Sequence, residues 1–412
     1  MAYTLEPLVE PPPHVDPAKV VDFGLFGDPR FEANGPFDGL RALRDELGPG
    51  VFWSPRYGGY WFITDHETLF EAARMPELFS NVDNIFPPPP PGPHPYLPPI
   101  TLDGEAHAKY RLPLMRMFAP ARIQGMEGEI RLLTRELIDA VADQGHCDFM
   151  DDVAEQLPVV IFMRLMGFDL SRRREFRKWA SSMSKDDVEE RTIGFANAAA
   201  MTRALLDERR RAPTDDLLSV LLEERIDGEP INQRDLDGMC TLLLGAGLDT
   251  VVNAMGFGMQ HVAHHPELQD RLRAEPALIP DAVEELLRRY SVSSVARRVK
   301  HDADFHGAPL KAGEYIALPL PLGNLDPKAF PDPDRFDLER ENKVHITFNS
   351  GPHRCVGSHL ARLELNVLYA EWLKRMPNVR PDPEKRPSYR AGIVMALNTL
   401  PLVWEPASAR AK

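Results

Sequence analysis

From Asn232 to about His264 the chain runs for over thirty residues that are apolar nearly all round, and this stretch constrains the fold more than any other. A helix without a wet face has to be buried through the middle of the molecule, with other helices packed around it. Asn232 is placed to cap its start. Inside it lies Ala246-Gly-Leu-Asp-Thr250. Gly245 and Gly247 suggest a nucleotide loop, but Thr250 stands where the last glycine is needed and no strand precedes it. The dinucleotide reading therefore fails. Asp249 is a charge in an apolar run, which suits a buried ion pair, a relay for protons from solvent, or both.

A second stretch, Phe348-Asn-Ser-Gly-Pro-His-Arg-Cys-Val-Gly357, offers one thiolate candidate in a turn punctuated by Gly351, Pro352 and Gly357. The run from Ser358 to Trp372 follows at once and reads as an amphipathic helix. Cys355 would then sit on a tight loop beside a helix N-terminus and Arg354, a setting that favours the anionic sulfur. A metal-ligating thiolate, as in haem proteins, is one use of such a residue; a buried inert cysteine is the other.

Composition excludes several classes. A net charge of −14 argues against a nucleic-acid partner. The three cysteines, Cys147, Cys240 and Cys355, lie roughly a hundred residues apart, so neither a zinc site nor a disulfide framework is expected and a reducing cytoplasm is the default. The acidic, proline-rich start lacks the basic patch and apolar core of a signal peptide. No 18-residue apolar run is expected anywhere in the chain, the best candidate, Leu157 to Phe168, being short and interrupted by Arg164. No linker divides the chain, and residues 36–412 are expected to form a single domain after an extended segment 1–35.

In order along the chain, a helix is expected from Pro36 to Leu47, two strands around Val51–Pro55 and Gly59–Thr64, and a helix capped by Asp65. Phe86 to Ile100, with five consecutive prolines, is a loop; its Phe86, Tyr96 and Leu97 point to a stiffened cover over a pocket. A helix begins at Gly104 and puts His107 and Arg111 on one face. Helices follow over 122–143, 149–166, 171–183 and 188–211, the pair around Lys185 forming a lid. Strands are expected over Val295–Val299 and Gly313–Pro319, and a terminal hairpin from Gly392–Ala396 and Leu400–Trp404.

The cysteine stretch resembles the haem-ligand loop of the cytochromes P-450, Phe-Gly-x-Gly-x-His-x-Cys-x-Gly. Phe348, Gly351, His353, Cys355 and Gly357 fall on the pattern, and Asn349 stands where the family has glycine. Asparagine is the ordinary residue best able to adopt the left-handed conformation, so the turn is expected to be kept. Ala246-Gly-Leu-Asp-Thr250, Glu285-Leu-Leu-Arg288 and Pro333-Asp-Arg-Phe336 match three further motifs of the family in order.

The resemblance implies a mainly α fold with small β-sheets, and haem b buried between the long central helix and the cysteine loop. It makes Cys355 the iron ligand, His107, Arg111, Arg297 and His353 the propionate partners, and Glu285, Arg288 and Arg335 a structural network behind the loop. Thr250 would bond back toward the Ala246 carbonyl, and Asp249 and Thr250 would deliver protons. Phe86, Tyr96, Leu242, Gly245, Ala246, Val295, Ile393 and Val394 would line a small apolar pocket.

Likeness to the camphor hydroxylases, carried by Gly247–Asn253, Glu284–Arg289 and Leu400–Trp404, implies oxygen insertion from dioxygen into an unactivated C–H bond of a camphor- or cineole-like monoterpenoid. Pro95 replaces the tyrosine that would bond a ketone, which points toward an ether or alcohol. A larger terpenoid or norisoprenoid, a peroxide-driven enzyme and a haem-binding sensor or carrier are the alternatives. Electrons would come from an acidic two-iron, two-sulfur ferredoxin with its NADH-dependent reductase, docking on Arg74, Lys109, Arg111, Lys343, Arg354 and Arg362. The protein is expected to be cytoplasmic and monomeric.

Overall fold

The computed structural model describes residues 8–32, 35–87, 96–183 and 188–406. The chain divides into two compact units that interleave along the sequence. The first comprises the residues up to Lys109 with Glu285–Cys355 and Arg390–Ala396; the second comprises Tyr110–Glu284, Val356–Tyr389 and the residues from Leu397 onward.

The first unit is built on a five-stranded sheet in the order Val51–Ser54, Tyr60–Ile63, Tyr315–Pro319, Ser294–Val299, Phe79–Ser80. Val51 stands opposite Ile63 in an antiparallel pair, and Tyr60–Ile63 runs parallel to Tyr315–Pro319. Every residue of Tyr60–Ile63 is buried, as expected of an apolar strand covered on both faces. Trp53, Trp61, Ile63, Val299, Ile316 and Leu318 share a core with Leu69 and Ile346. Helix Pro36–Leu47 begins with proline in its first turn and stops at Gly48, whose φ of 68° suits glycine. Helix His66–Ala73 is capped as expected, Asp65 accepting from Thr68 N–H at 2.9 Å.

Residues 8–32 are not simply extended. They contain a 3-10 turn at Pro17–Lys19 and a helical turn at Pro29–Glu32. Phe23 and Leu25 are buried, and Val21 N–H donates to Trp53 O at 2.9 Å, so the segment is part of the first unit's core.

The structural network needs one correction. Arg288 donates to both Glu285 carboxylate oxygens at 2.8 Å and to the carbonyls of Asn324 and Pro333. The arginine that joins them is Arg340, whose Nε reaches Glu285 at 3.1 Å. Arg335 is exposed, and only its carbonyl turns inward, accepting from Arg340 at 2.8 Å. The chain between Pro331 and Arg340 curls so that the later guanidinium, bonded to the Pro331 and Asp332 carbonyls, returns to the buried carboxylate.

The second unit is mostly helical. Glu127–Ala142, Gln156–Met166, Val188–Arg211, Gln233–Ala246, Asp249–His264 and Ser358–Arg375 are its long helices. Met163, Met166, Leu206, Leu218, Met239 and Leu244 lie in one shared core. The segment expected as one helix over 122–143 is two, Pro120–Gln124 and Glu127–Ala142. The one expected over 149–166 opens with a π-turn, Met150–Ala154. Lys185, the centre of the expected lid, lies outside the described residues.

The long apolar helix is also two. Gln233–Ala246 is capped by Asn232, which accepts from Asp235 N–H at 3.0 Å; Asp249–His264 starts anew after Gly247 and Leu248. Leu248, at φ −109° and ψ −59°, departs from helical geometry and breaks the ladder at the motif. Taken together, Gln233–His264 is long and apolar enough to cross a membrane by length and composition, and most of it is buried inside the protein. The length matches the buried apolar helix expected there, whereas the expectation that no apolar run reaches 18 residues does not hold.

The terminal segments do not pair as a hairpin. Ala396–Thr399 joins Ser388–Arg390, whereas Pro401–Val403 lies between Arg380–Pro381 and His146–Asp148. The partners are distant in sequence, which local pattern does not reveal.

Candidate functional site

Within the first unit, Asn349 occupies the left-handed region, at φ 59°. Its N–H donates to Ile346 O at 2.7 Å, and its side-chain oxygen accepts from Ser350 N–H at 2.8 Å. Asparagine thus supplies the conformation that glycine gives elsewhere in the family, and adds a bond of its own. Gly351 follows at φ 68°. Cys355 N–H closes the loop on Phe348 O at 2.8 Å, and Arg74 Nε braces it through Ser350 Oγ at 2.8 Å.

The cysteines differ sharply. Cys147 and Cys240 are buried, and burial pushes both thiols up, Cys240 to about 12. Among the three, Cys355 alone is exposed, three residues before the helix Ser358–Arg375 begins.

The cations of the same unit fit an anionic group. His107 is 3% exposed, and its ring lies 4.0 Å from that of His353. Arg297 is also buried; its Nη1 donates to the Ala296 carbonyl at 2.8 Å, and no carboxylate among the described residues comes within ion-pair distance. Burial pushes this guanidinium down to about 10, and Asp103 opposes the shift only from a distance. A buried arginine without a carboxylate calls for an anion from outside the chain, and a haem propionate meets that need. Arg111, one turn beyond His107 on the helix Gly104–Met117, falls in the second unit and is half-buried.

In the second unit, Asp249 opens the helix after the break, and Thr250 follows, half-buried. Ala246 closes the preceding helix; its side chain lies outside the described set. Leu242 is half-buried and Gly245 exposed. Asn253, one turn past Asp249, was not singled out by sequence, although the i, i+4 spacing was there to be seen. Its amide donates to the Asp249 carbonyl at 2.8 Å and carboxylate at 3.0 Å.

The expected pocket residues of the first unit do not all serve as walls. Phe86 is 4% exposed and packs at 4.7–5.8 Å among Tyr57, Tyr60 and Tyr315, so it is a core residue rather than a lining one. Aromatic packing against the sheet outcompetes exposure for so large a ring. Tyr96, Val295, Ile393 and Val394 are half-buried. Ile393 O accepts from Ser294 N–H at 2.7 Å, and Val394 bridges to Ser293. The proline run that precedes Tyr96, including Pro95, lies outside the described residues. Of the expected basic patch, Lys109 is paired with Glu105 and Arg362 with Glu284.

Residues 138–402 match the family described as Cytochrome P450. The chain is 33% identical over 401 residues to a probable cytochrome P450 127A1 of Sinorhizobium fredii, covering 95% of this chain and 96% of that one. It belongs to the cytochrome P450 family. A steroid C26-monooxygenase of Mycobacterium tuberculosis is 34% identical over 354 residues, covering 83% of this chain and 94% of the relative. The crystal structures of CYP101J2 and CYP101C1 each superpose with a TM-score of 0.89, at 30% and 34% identity, over 97% and 96% of this chain and 100% of theirs. This P450 is therefore an oxidoreductase that takes haem b, with the mainly helical P450 fold and its small sheets.

Proposed function

We propose that this P450 hydroxylates a small hydrophobic monoterpenoid, camphor- or cineole-like, with electrons delivered by a ferredoxin in the bacterial cytoplasm. The observation that carries the substrate class is the half-buried state of Val295, Ile393 and Val394, apolar side chains of the first unit that its core does not absorb fully. Apolar surface of that kind is stabilised by an apolar ligand. Likeness to the camphor hydroxylases in Gly247–Asn253 and Leu400–Trp404 supports the same class. A second reading has one observation behind it. Gly245 is exposed and carries no side chain, which leaves room for a larger terpenoid, and the Mycobacterium tuberculosis relative bears the name of a steroid enzyme.

Bound haem supplies the activation of dioxygen and the insertion of one oxygen atom into the C–H bond. Cys355 is the residue we assign to its iron, and Arg297, His107, His353 and Arg111 to its propionates. Asp249 carries protons inward on its carboxylate, and the Thr250 hydroxyl passes them on. Val295, Ile393 and Val394 exclude water and orient the substrate. Arg74, Arg354 and Lys343 are the cations we assign to an acidic electron donor.

The test is an optical titration of the haem-loaded protein with camphor, cineole, borneol, linalool, ionone and a sterol. A low-spin to high-spin shift with a bicyclic monoterpenoid supports the first reading. A shift with the sterol alone supports the second, and no shift with any refutes the pocket assignment.

A further inference from the structure

We propose that Asn253 is a positioning residue that ties the Asp249 carboxylate to the backbone at Leu397, so that the proton relay is held by a strand of the second unit. The proposal rests on the reading of Asp249 as a proton carrier. Asn253 is 2% exposed, and its side-chain hydrogen bonds run to Asp249 and Leu397. Its Oδ1 accepts from Leu397 N–H at 2.8 Å. A backbone N–H requires an acceptor, so the orientation of the amide is decided and its NH2 faces Asp249. That NH2 donates to the Asp249 carbonyl and carboxylate at 2.8 and 3.0 Å. The bonds cross the first turn after the break at Gly247–Leu248, where the helix ladder alone does not hold Asp249.

Leu397 is as firmly set as Asn253. It is 2% exposed, and its side chain packs so closely on Gly256 that a Cβ there would stand 3.2 Å from Leu397 Cδ2 and 2.5 Å from Met150 Sδ. Upstream, the chain is pinned at two residues: Ile393 O accepts from Ser294 N–H at 2.7 Å, and Met395 N–H donates to Val292 O at 2.8 Å. Only Ala396, the first residue of the strand Ala396–Thr399, separates Met395 from Leu397.

Two variants separate the halves of the link. Asn253→Asp keeps an oxygen for Leu397 N–H but removes the donor to Asp249; Asn253→Ala removes both. Backbone exchange at Leu397, read by hydrogen–deuterium exchange, is expected to be unchanged in Asn253→Asp and about tenfold faster in Asn253→Ala. In the reconstituted enzyme, the share of reducing equivalents recovered in product is expected to fall about tenfold in Asn253→Asp at neutral pH. It should recover as pH falls, because a proton shared by the two carboxyls recreates the donor. Asp249→Asn is run beside them. Full coupling in Asp249→Asn overturns the relay reading itself; impaired coupling there with full, pH-independent coupling in Asn253→Asp overturns the positioning role alone.

Discussion

Gly351 lies so close to Ala73 that a Cβ on the glycine would stand 2.4 Å from the Ala73 carbonyl oxygen and 3.1 Å from Arg74 Cα. The partner is backbone, which has no rotamer to escape into, and the φ of 68° adds strain for any L side chain. The cysteine loop is thereby seated on the end of the helix His66–Ala73. Gly351→Ala is expected to cost about 2–4 kcal/mol. Thermal melting of the haem-free chain checks this, with loss of the thiolate-type Soret band as the second readout.

Asn349 is strained in a different way, having the conformation without the crowding. Asn349→Gly is expected to be neutral within about 0.5 kcal/mol, since glycine reaches φ 59° freely while the bond to Ser350 N–H is lost. A β-branched residue meets the full left-handed penalty, so Asn349→Val should cost about 1–2 kcal/mol. Equal melting temperatures for the two variants would contradict the left-handed assignment.

The network behind the loop distinguishes its two candidate arginines. Arg340→Ala leaves Glu285 with one cation instead of two in a buried site and should cost about 3–5 kcal/mol. Arg335→Ala removes an exposed side chain and leaves its carbonyl in place, so a change under about 0.5 kcal/mol is expected. Denaturant midpoints of the two variants decide the matter.

Two glutamates on the helix Ser358–Arg375 pull the pH dependence of stability in opposite directions. Burial pushes Glu364 up to about 8. For Glu371 burial also acts upward, but hydrogen bonds from Arg135, Arg131 and Arg375 outweigh it and hold the carboxylate down at about 2. In the unfolded chain both titrate near 4.3. As pH rises from about 4 to 8 the unfolded state ionises at Glu364 before the folded state does, so stability falls across that window. At Glu371 the sign is reversed, and stability is lost as pH drops from about 4 toward 2. Glu364→Gln should flatten the decline between pH 5 and 8, a gain on the order of 3 kcal/mol at the alkaline end. Melting temperatures of both proteins across that range provide the check.

Local punctuation carried much of the sequence reading. Proline after Gly35 and glycine after Leu47 bounded one helix at its observed ends, and Val188–Arg211 was likewise legible in full. The cysteine loop was legible because Gly351 and Asn349 are demanded by backbone geometry at those positions. What failed was everything decided by distant partners. A charge such as Glu364 on an amphipathic pattern looks like solvent face until the neighbouring helices are in place. Arg340 and Arg335 are alike in sequence, and only the curl of the intervening chain selects one. Phe86 read as a pocket wall because its loop was proline-rich, whereas three tyrosines from other segments bury it.

Arg297 sets stability against cofactor binding. In the haem-free chain its guanidinium is buried, 3% exposed, and donates to the Ala296 carbonyl. Taking a cation out of water without a carboxylate is costly, and an apolar residue of similar length avoids that cost. Arg297→Met is therefore expected to raise the stability of the haem-free protein by about 1–3 kcal/mol. The same change removes the charge we assign to a propionate, so the haem-loaded protein should lose its cofactor faster to an apomyoglobin trap. A variant that stabilises one form and weakens the other follows only if Arg297 is held ready for an anionic ligand. Were Arg297 simply a structural cation, both forms would lose stability together.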